Sequence, residues 1–459
     1  MNERLTSPSS LVDQIRALLG KASEPRRAPD PVNAVMIRHW CQALSDRNPV
    51  YVDPARAAQT VHGGIVAPPA MLDAWLLDPN PPGVVGEVLR RINDAGYTSV
   101  VATNSEHEYE RYLRPGDHLT ATTAVTDISD EKQTALGRGH FFTNTTELHT
   151  ADGEPVGKVR MRILKFMPGT ARVPPGMTAP SSEARPLRPQ PSVSRDTRFF
   201  WEGVEQHQLR IQRCNGCGKL HHPPVVRCPE CGSYEQGYVV STGRATVYSF
   251  VEPCHPKLPA FDYPYAVGLV ELEEGVRLLT NLVDVDPELI RIGMPVDLLF
   301  RKVDRELTLP LFRPRCPEPR QTSLRFDEVE SGQELPLLPI PITSTLIVAG
   351  AIASRDFTPV HHDVEIARAQ GSADIFMNIL TTNGLCSRYV TDWTGPDAIL
   401  RRLSVRLGAP NYPGDTMTFS GSVESKSPAA AGGLVEVALR GRNRLGDHVV
   451  GKIVVELPR

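Results

Sequence analysis

One order of landmarks occurs twice in this 459-residue chain, and any fold must accommodate that repetition first. Near the start of each outer segment an aspartate is followed three residues later by proline. The first copy reads SDRNPVYVD from Ser45 to Asp53, and the second reads SRDFTPVHHD from Ser354 to Asp363. Each segment later carries Pro-Gly-Asp, ending at Asp117 in one and at Asp415 in the other. Proline followed by glycine suits the two central positions of a type II turn. Each turn leads into an alternating stretch, HLTATTAVTDI or TMTFSGSVES, which predicts a strand. Each segment closes on a strand pair. The first is joined at Asp152-Gly153 and continues Val156-Gly157-Lys158; the second is joined at Gly446-Asp447 and continues Val450-Gly451-Lys452. The second set follows the first by roughly 290 to 310 positions, as a duplication requires.

Helical material lies early in each copy. Leu11 to Gly20 and Val32 to Leu44 read as helices. In the first copy the apolar stretch Pro68 to Leu77 (PPAMLDAWLL) follows His62-Gly63-Gly64, and Asp374 to Val390 is its counterpart in the second. An apolar helix followed by several antiparallel strands predicts a sheet wrapped around a buried helix, an α+β arrangement.

Prolines mark the boundaries. Pro168 to Ser194 holds seven prolines and no periodicity, which predicts a linker or a strap over the surface. A second proline-rich stretch covers Leu309 to Pro319. The expected domains are therefore residues 1–167, 195–308 and 320–459, with linkers at 168–194 and 309–319.

Composition excludes some classes of function. An apolar fraction of 40% and a charged fraction of 22% fit a globular chain. A net charge of −3 gives no reason to expect a nucleic-acid or anionic-membrane partner for the whole protein. No apolar run approaches the roughly 18 residues of a membrane span, and the first residues hold no signal-like apolar core. A cytoplasmic location is expected.

The aspartate motif carries the chemistry. Asp356-Phe357-Thr358-Pro359-Val360-His361 resembles the D-x-N-P-x-H signature of the MaoC-like, R-specific enoyl-CoA hydratases, which are hot-dog folds. Thr358 departs from it, standing where the family has asparagine. Threonine keeps an oxygen acceptor and loses the amide donor. The resemblance spans both outer segments and implies two hot-dog domains. It implies that Asp356 and His361 hold and activate one water for addition to a 2-enoyl-CoA thioester. It also implies an oxyanion donor at the start of the central helix, near Asn378, where free N–H groups point outward. His362 is expected to be a surface or loop residue. The first copy reads Asp46-Arg47-Asn48-Pro49-Val50-Tyr51. Tyrosine, with an ordinary pKa near 10, is a poor base at neutral pH, so this copy is read as non-catalytic and Asp46 as a loop cap. Paired hot-dog sheets usually lie side by side with ligand at the interface, so the two copies are expected to form one asymmetric pair.

Four of the eight cysteines cluster as Cys214-x2-Cys217-x10-Cys228-x2-Cys231. Two such knuckles deliver four thiolates to one tetrahedron and suit a structural Zn²⁺ with no open position. A redox pair or an iron site fits the surrounding ribbon-like sequence less well, and no redox cofactor is expected. His221 and His222 are not required as ligands. The remaining cysteines (Cys41, Cys254, Cys316, Cys386) read as ordinary buried thiols. Short strands follow (ATVYSF, PYAVGLVELEEG, VRLLTNLVD and MPVDLLF), which predict a small OB-type barrel. An aromatic-rich helix start, Arg198 to Val204, precedes the ribbon. From Ser241 to Phe300 there are four basic residues against nine acidic ones, which argues against nucleic acid in the barrel.

The helix, ribbon and barrel order resembles the modules that accompany thiolases and other acyl-CoA enzymes. The whole arrangement is similar to actinobacterial steroid side-chain hydratases, with their two subunits fused. That resemblance implies a bulky steroid enoyl-CoA substrate and a tertiary 3-hydroxyacyl-CoA product. It further implies a thiolase-like aldolase of the lipid-transfer-protein type docked on residues 195–308. A non-catalytic acyl-CoA scaffold and an R-specific fatty enoyl-CoA hydratase are the rival readings. A homo-oligomer is left open.

Overall fold

The computed structural model describes residues 10–78, 81–171, 186–429 and 432–459. The chain divides into two compact units: residues 1–175 together with 317–459, and residues 176–316. Much of the first expected linker, residues 172–185, lies outside the described residues.

The first unit is built from both copies. The first copy supplies strands β1 (Ser99–Tyr109), β2 (Leu119–Ile128), β3 (Arg138–Thr150) and β4 (Pro155–Phe166). The second supplies β5 (Ile399–Leu407), β6 (Thr416–Ala429), β7 (Gly432–Asn443) and β8 (Gly446–Pro458). Their order across the sheet is β2-β3-β4-β1-β5-β8-β7-β6. Each copy thus has the same internal order, and the two meet at their first strands. That seam is antiparallel, with Glu108 opposite Arg402 and Asn104 opposite Arg406. The two sheets are one, as the side-by-side pairing expects. The Pro-Gly-Asp turns close through Asp117 N to Arg114 O (3.0 Å) and Asp415 N to Tyr412 O (3.3 Å). Gly116 and Gly414 take the positive φ that a type II turn requires, 100° and 89°.

Three helices matter for the site: α1 (Ala34–Leu44), α2 (Ser344–Ala353) and α3 (Ile379–Thr394). All sixteen residues of α3 are buried. Asn378 caps it by accepting from Thr381 N. The helix packs on β1, β5 and β8, so both copies share it. Small residues allow close approach. A Cβ on Gly384 would lie 2.2 Å from Leu44 Cδ2 and 2.7 Å from the Trp40 ring of α1. One on Gly350 of α2 would lie 2.3 Å from Thr381 Oγ1.

The first copy's helix lies later than expected, at Gly83–Asp94, where it leads into β1 as α3 leads into β5; this corrects the expectation for Pro68 to Leu77. That stretch is a 3-10 turn over Pro69–Met71 followed by irregular turns. Consecutive prolines at 68 and 69 permit only a helix start, and α3 packs against this turn.

The second unit holds a three-stranded zinc-ribbon sheet (Arg210–Cys214, Leu220–His221, Gln236–Val240) preceded by the helix Arg198–Glu205. A closed five-stranded barrel follows. Its last strand, Thr308–Pro314, falls within the stretch expected to be a linker at 309–319. Pro310 and Pro314 misled that reading. Phe312 O accepts from Val283 N, so the alternate residues Pro310 and Pro314 turn their missing N–H groups to the same side. On that side the strand pairs only at Leu282–Phe312, and proline is tolerated there. Cys41 and Cys386 are buried as expected, whereas Cys254 and Cys316 are exposed, both in irregular segments. No described helix is long and apolar enough to cross a membrane.

Candidate active site

Asp356 and His361 lie on a tight loop after α2. The turn is fixed from several sides. Asp356 N donates to Ala351 O, and the His362 ring lies 2.8 Å from Asp356 O through Nε2. His362 is thus a loop fastener. Pro359–His361 forms a short 3-10 turn that swings His361 back toward Asp356.

The two side chains meet at 3.5 Å, Asp356 Oδ2 to His361 Nε2. His361 Nδ1 lies 2.7 Å from Phe376 O. A carbonyl only accepts, so Nδ1 carries the hydrogen and Nε2 presents its lone pair toward Asp356. Burial is the main cause holding the His361 pKa below its ordinary 6.5, against the opposing pull of Asp356. The imidazole is therefore neutral at pH 7. Three donors converge on Asp356. Thr358 N (3.2 Å) and Thr358 Oγ1 (2.6 Å) donate to Oδ1, and Asn378 Nδ2 (2.9 Å) donates to Oδ2. Thr358 thus serves as a hydroxyl donor rather than as the acceptor expected of it. Two acceptors, Oδ2 and Nε2, face one point, which is the arrangement that holds a water.

The side chain of Asn378 holds the loop to the helix. Its amide donates to Asp356 and to Ser354 Oγ, while its carbonyl caps α3. Uncommitted donors at the start of α3 are the backbone N–H groups of Asn378, Ile379 and Leu380. All three residues line the same cavity as Asp356 and His361.

That cavity measures about 690 Å³. Leu77, Val101, Leu136, Met161, Ile163 and Phe166 of the first copy form an apolar wall. The second copy supplies the polar groups together with Phe357, Phe376 and Tyr412. His448, missed by the sequence reading, also lines it. Its Nε2 lies 2.9 Å from Thr382 Oγ1 and its Nδ1 lies 2.7 Å from Ala409 O. No local motif marks it, because its partners come from distant segments.

The first-copy motif is closed over. Asp46 accepts from Asn48 N at 3.0 Å, as a loop cap does. Tyr51 is buried, and burial lifts its pKa well above 10. Burial also raises Asp46 to about 6 and Asp392 to about 7, with Arg388 opposing both shifts. Arg388 bonds Asp392 at 3.1 Å and Leu44 O at 2.8 Å.

In the second unit the sulfurs of Cys214, Cys217, Cys228 and Cys231 all lie within 4.8 Å of one another. A tetrahedral Zn–S₄ site has sulfur separations of about 3.8 Å for bonds of about 2.3 Å, so the set fits zinc. Each knuckle ends on a glycine at positive φ, Gly218 and Gly232, whose N–H bonds the carbonyl of the first cysteine. His221 Nε2 lies 3.5 Å from Cys228 Sγ, beside the four thiols.

Comparisons with known proteins agree with these features. Residues 17–159 match the family described as FAS1-like, dehydratase domain region. Residues 201–235 match the ChsH2 rubredoxin-like zinc ribbon domain, and residues 238–301 match the ChsH2 C-terminal OB-fold domain. The alpha subunit of the Mycobacterium tuberculosis 3-oxo-4,17-pregnadiene-20-carboxyl-CoA hydratase is 45% identical over 299 residues, 62% of this chain and 91% of that subunit. The beta subunit of the same enzyme is 50% identical over 126 residues, 28% of this chain and 95% of that subunit. A solved MaoC-like dehydratase shares the fold, with a TM-score of 0.55 and 18% identity over 96% of this chain and 99% of that one.

Proposed function

This chain belongs to the MaoC-like hot-dog enoyl-CoA hydratases that carry a zinc ribbon and an OB-fold, and from that premise we propose that it hydrates a bulky polycyclic 2-enoyl-CoA of the steroid side-chain type. One observation carries the reading: the Asp356–His361 pair opens onto a cavity whose far wall is apolar and comes from the other copy. Its volume, about 690 Å³, lies in the upper half of the usual range for small-molecule sites, roughly 300–1,000 Å³. The two hydratase subunits that resemble this chain are named for a steroid thioester.

In the proposed reaction a water sits between Asp356 Oδ2 and His361 Nε2. The neutral imidazole takes one of its protons as its oxygen bonds the β-carbon. The thioester carbonyl gains negative charge, which the Ile379 and Leu380 N–H groups meet. A proton is delivered to the α-carbon from the same pair, and the sum is addition of one water. If the double bond is exocyclic, so that the β-carbon is a ring carbon bearing no hydrogen, the product is a tertiary alcohol. Such an alcohol cannot be oxidised to a ketone, so carbon–carbon cleavage by an aldolase is its natural fate.

The second unit is the proposed dock for that aldolase, a thiolase-like protein. Its barrel carries exposed Tyr248, Val251 and Leu279 on an acidic surface. The four cysteines would hold zinc in a structural role.

The test uses purified full-length chain and two esters: a linear 2-enoyl-CoA, and a polycyclic one whose β-carbon lies in a ring. Mass spectrometry should find one water added to the ring ester with the higher kcat/KM. Hydration of the linear ester alone would favour a fatty-acyl enzyme. Hydration of neither would leave a non-catalytic carrier of acyl-CoA.

A further inference from the structure

Both copies hold the residue before their motif aspartate in left-handed backbone: Ser45 at φ 52° and Arg355 at φ 61°. Its repetition shows that the fold imposes this conformation. Glycine adopts it freely, whereas a Cβ is unfavourable there. The first copy places a small serine at the position. The second places a long cation next to Asp356. In each copy this residue closes a helix end, with Arg355 N bonding Ile352 O at 2.9 Å and Asp356 N bonding Ala351 O at 2.8 Å; that cap asks nothing of a long cation, which leaves the guanidinium for another task.

Its surroundings narrow that task. Arg355 is half-buried and lines the cavity. Its Nη1 donates to Trp75 O at 3.0 Å, reaching from the second copy to the first. Among the described residues no carboxylate pairs with it. A guanidinium carries five N–H donors, so most of them remain for a ligand. An unpaired cation against apolar walls is unfavourable until an acceptor meets it.

We infer that Arg355 binds an oxygen carried by the acyl group, other than the thioester carbonyl that the Ile379 and Leu380 N–H groups would meet. The inference rests on the proposed reading of the cavity as the site of a bulky enoyl group. An acyl-CoA has other acceptors in its phosphates. Those lie at the far end of the pantetheine arm, whereas Arg355 is the chain neighbour of Asp356. An oxygenated acyl group fits the position better.

The experiment measures kcat/KM of full-length wild type, Arg355→Gly and Arg355→Lys. Glycine suits the left-handed backbone, so the first variant removes the guanidinium without straining the backbone there. The substrates are a ring enoyl-CoA with a distal ketone, the same ester without the ketone, a linear 2-enoyl-CoA, and the pantetheine thioester of the ketone acid. A bond to a charged donor is worth about tenfold to a hundredfold. Arg355→Gly should lose that factor on both ketone thioesters and change less than about threefold on the other two. Arg355→Lys should recover part of the loss. Equal losses on all four substrates would overturn the inference in favour of a fastener to Trp75. A loss confined to the CoA esters would overturn it in favour of the phosphates. Wild type that hydrates the linear ester but neither ring ester would instead sink the parent reading of the substrate, and the inference with it.

Discussion

At the scale of single residues, the two copies of one motif have diverged at a single decisive position. Histidine and tyrosine occupy equivalent places, His361 and Tyr51, and the surroundings make the difference functional. His361 keeps a lone pair on the cavity because Phe376 O fixes its other nitrogen. Tyr51 is buried and its hydroxyl is held far from ionisation. Asp356→Ala or His361→Ala should therefore lower kcat at least about a hundredfold, while Asp46→Asn and Tyr51→Phe should stay within about tenfold of wild type. Equal losses from the two pairs would mean two working sites. The pH profile follows from the same geometry. His361 acts as a base only when neutral, and burial lowers its pKa from 6.5. Activity should thus hold as pH falls through 6.5 and decline only below it. An acid limb of kcat/KM centred above 6.5 would contradict this assignment. The motif pair was legible because it is local in sequence. The tasks of Thr358 and Asn378 were not. A hydroxyl can donate or accept, and only the position of Asp356 decides which. Asn378 bonds a carboxylate 22 residues away, a contact that no local pattern encodes.

At the scale of elements, α3 packs against strands of both copies. The sequence marked its apolar run but assigned the first copy a matching helix, since both stretches are rich in apolar residues. The first copy's helix is instead Gly83–Asp94, which buries Val85, Val88 and Ile92 with Val125 and Phe142 of its own sheet, whereas α3 lies against α1 at Gly384. Gly384→Ala poses two effects against each other. Alanine improves helix propensity by about 1 kcal/mol. Its Cβ would also collide with Leu44 and with Trp40, both fully buried, and overpacking typically costs about 1–3 kcal/mol. The collision should win, so the variant should unfold at lower urea than wild type. A higher midpoint would show that the interface gives way more easily than its packing implies. The zinc ribbon was legible in full because its ligands sit on two short knuckles. The barrel's last strand was not, because its prolines spend their missing donors on a nearly unpaired side. Cys214→Ser should leave the protein without zinc and unfold the second unit at lower temperature, since metal binding is part of the folding free energy there. Full stability after chelation, measured with elemental analysis of the same sample, would rule out a structural metal.

At the scale of the whole molecule, the candidate site and the exposed apolar groups of the barrel belong to different units. The residues that line the cavity all belong to the first unit, residues 1–175 and 317–459. No residue of the barrel or ribbon is among them. The second unit has its own hydrophobic core, centred on Val247, Val270, Val296 and Phe312. It also keeps large apolar groups on its surface, of which Leu279 is 70% exposed. Leu279 pairs across the ladder with Leu269, and Arg277 lies over the Tyr248 ring with its Cζ 3.4 Å from the centroid. Together these groups make a patch of the kind that partners bury at the centre of an interface. A tertiary β-hydroxyacyl-CoA needs an aldolase next, and a docked aldolase would receive it without loss to solvent. Replacing residues 176–316 by a flexible linker should therefore leave hydration within about threefold of wild type, because no group of the site is removed. The same deletion should abolish co-purification with a co-expressed thiolase-like aldolase. Leu279→Asp in the otherwise intact chain should weaken that co-purification and spare both hydration and zinc content, since it charges the patch without touching the core. Undiminished aldolase capture by both altered chains would assign the dock to the hydratase unit and leave the barrel's exposed apolar face to another partner.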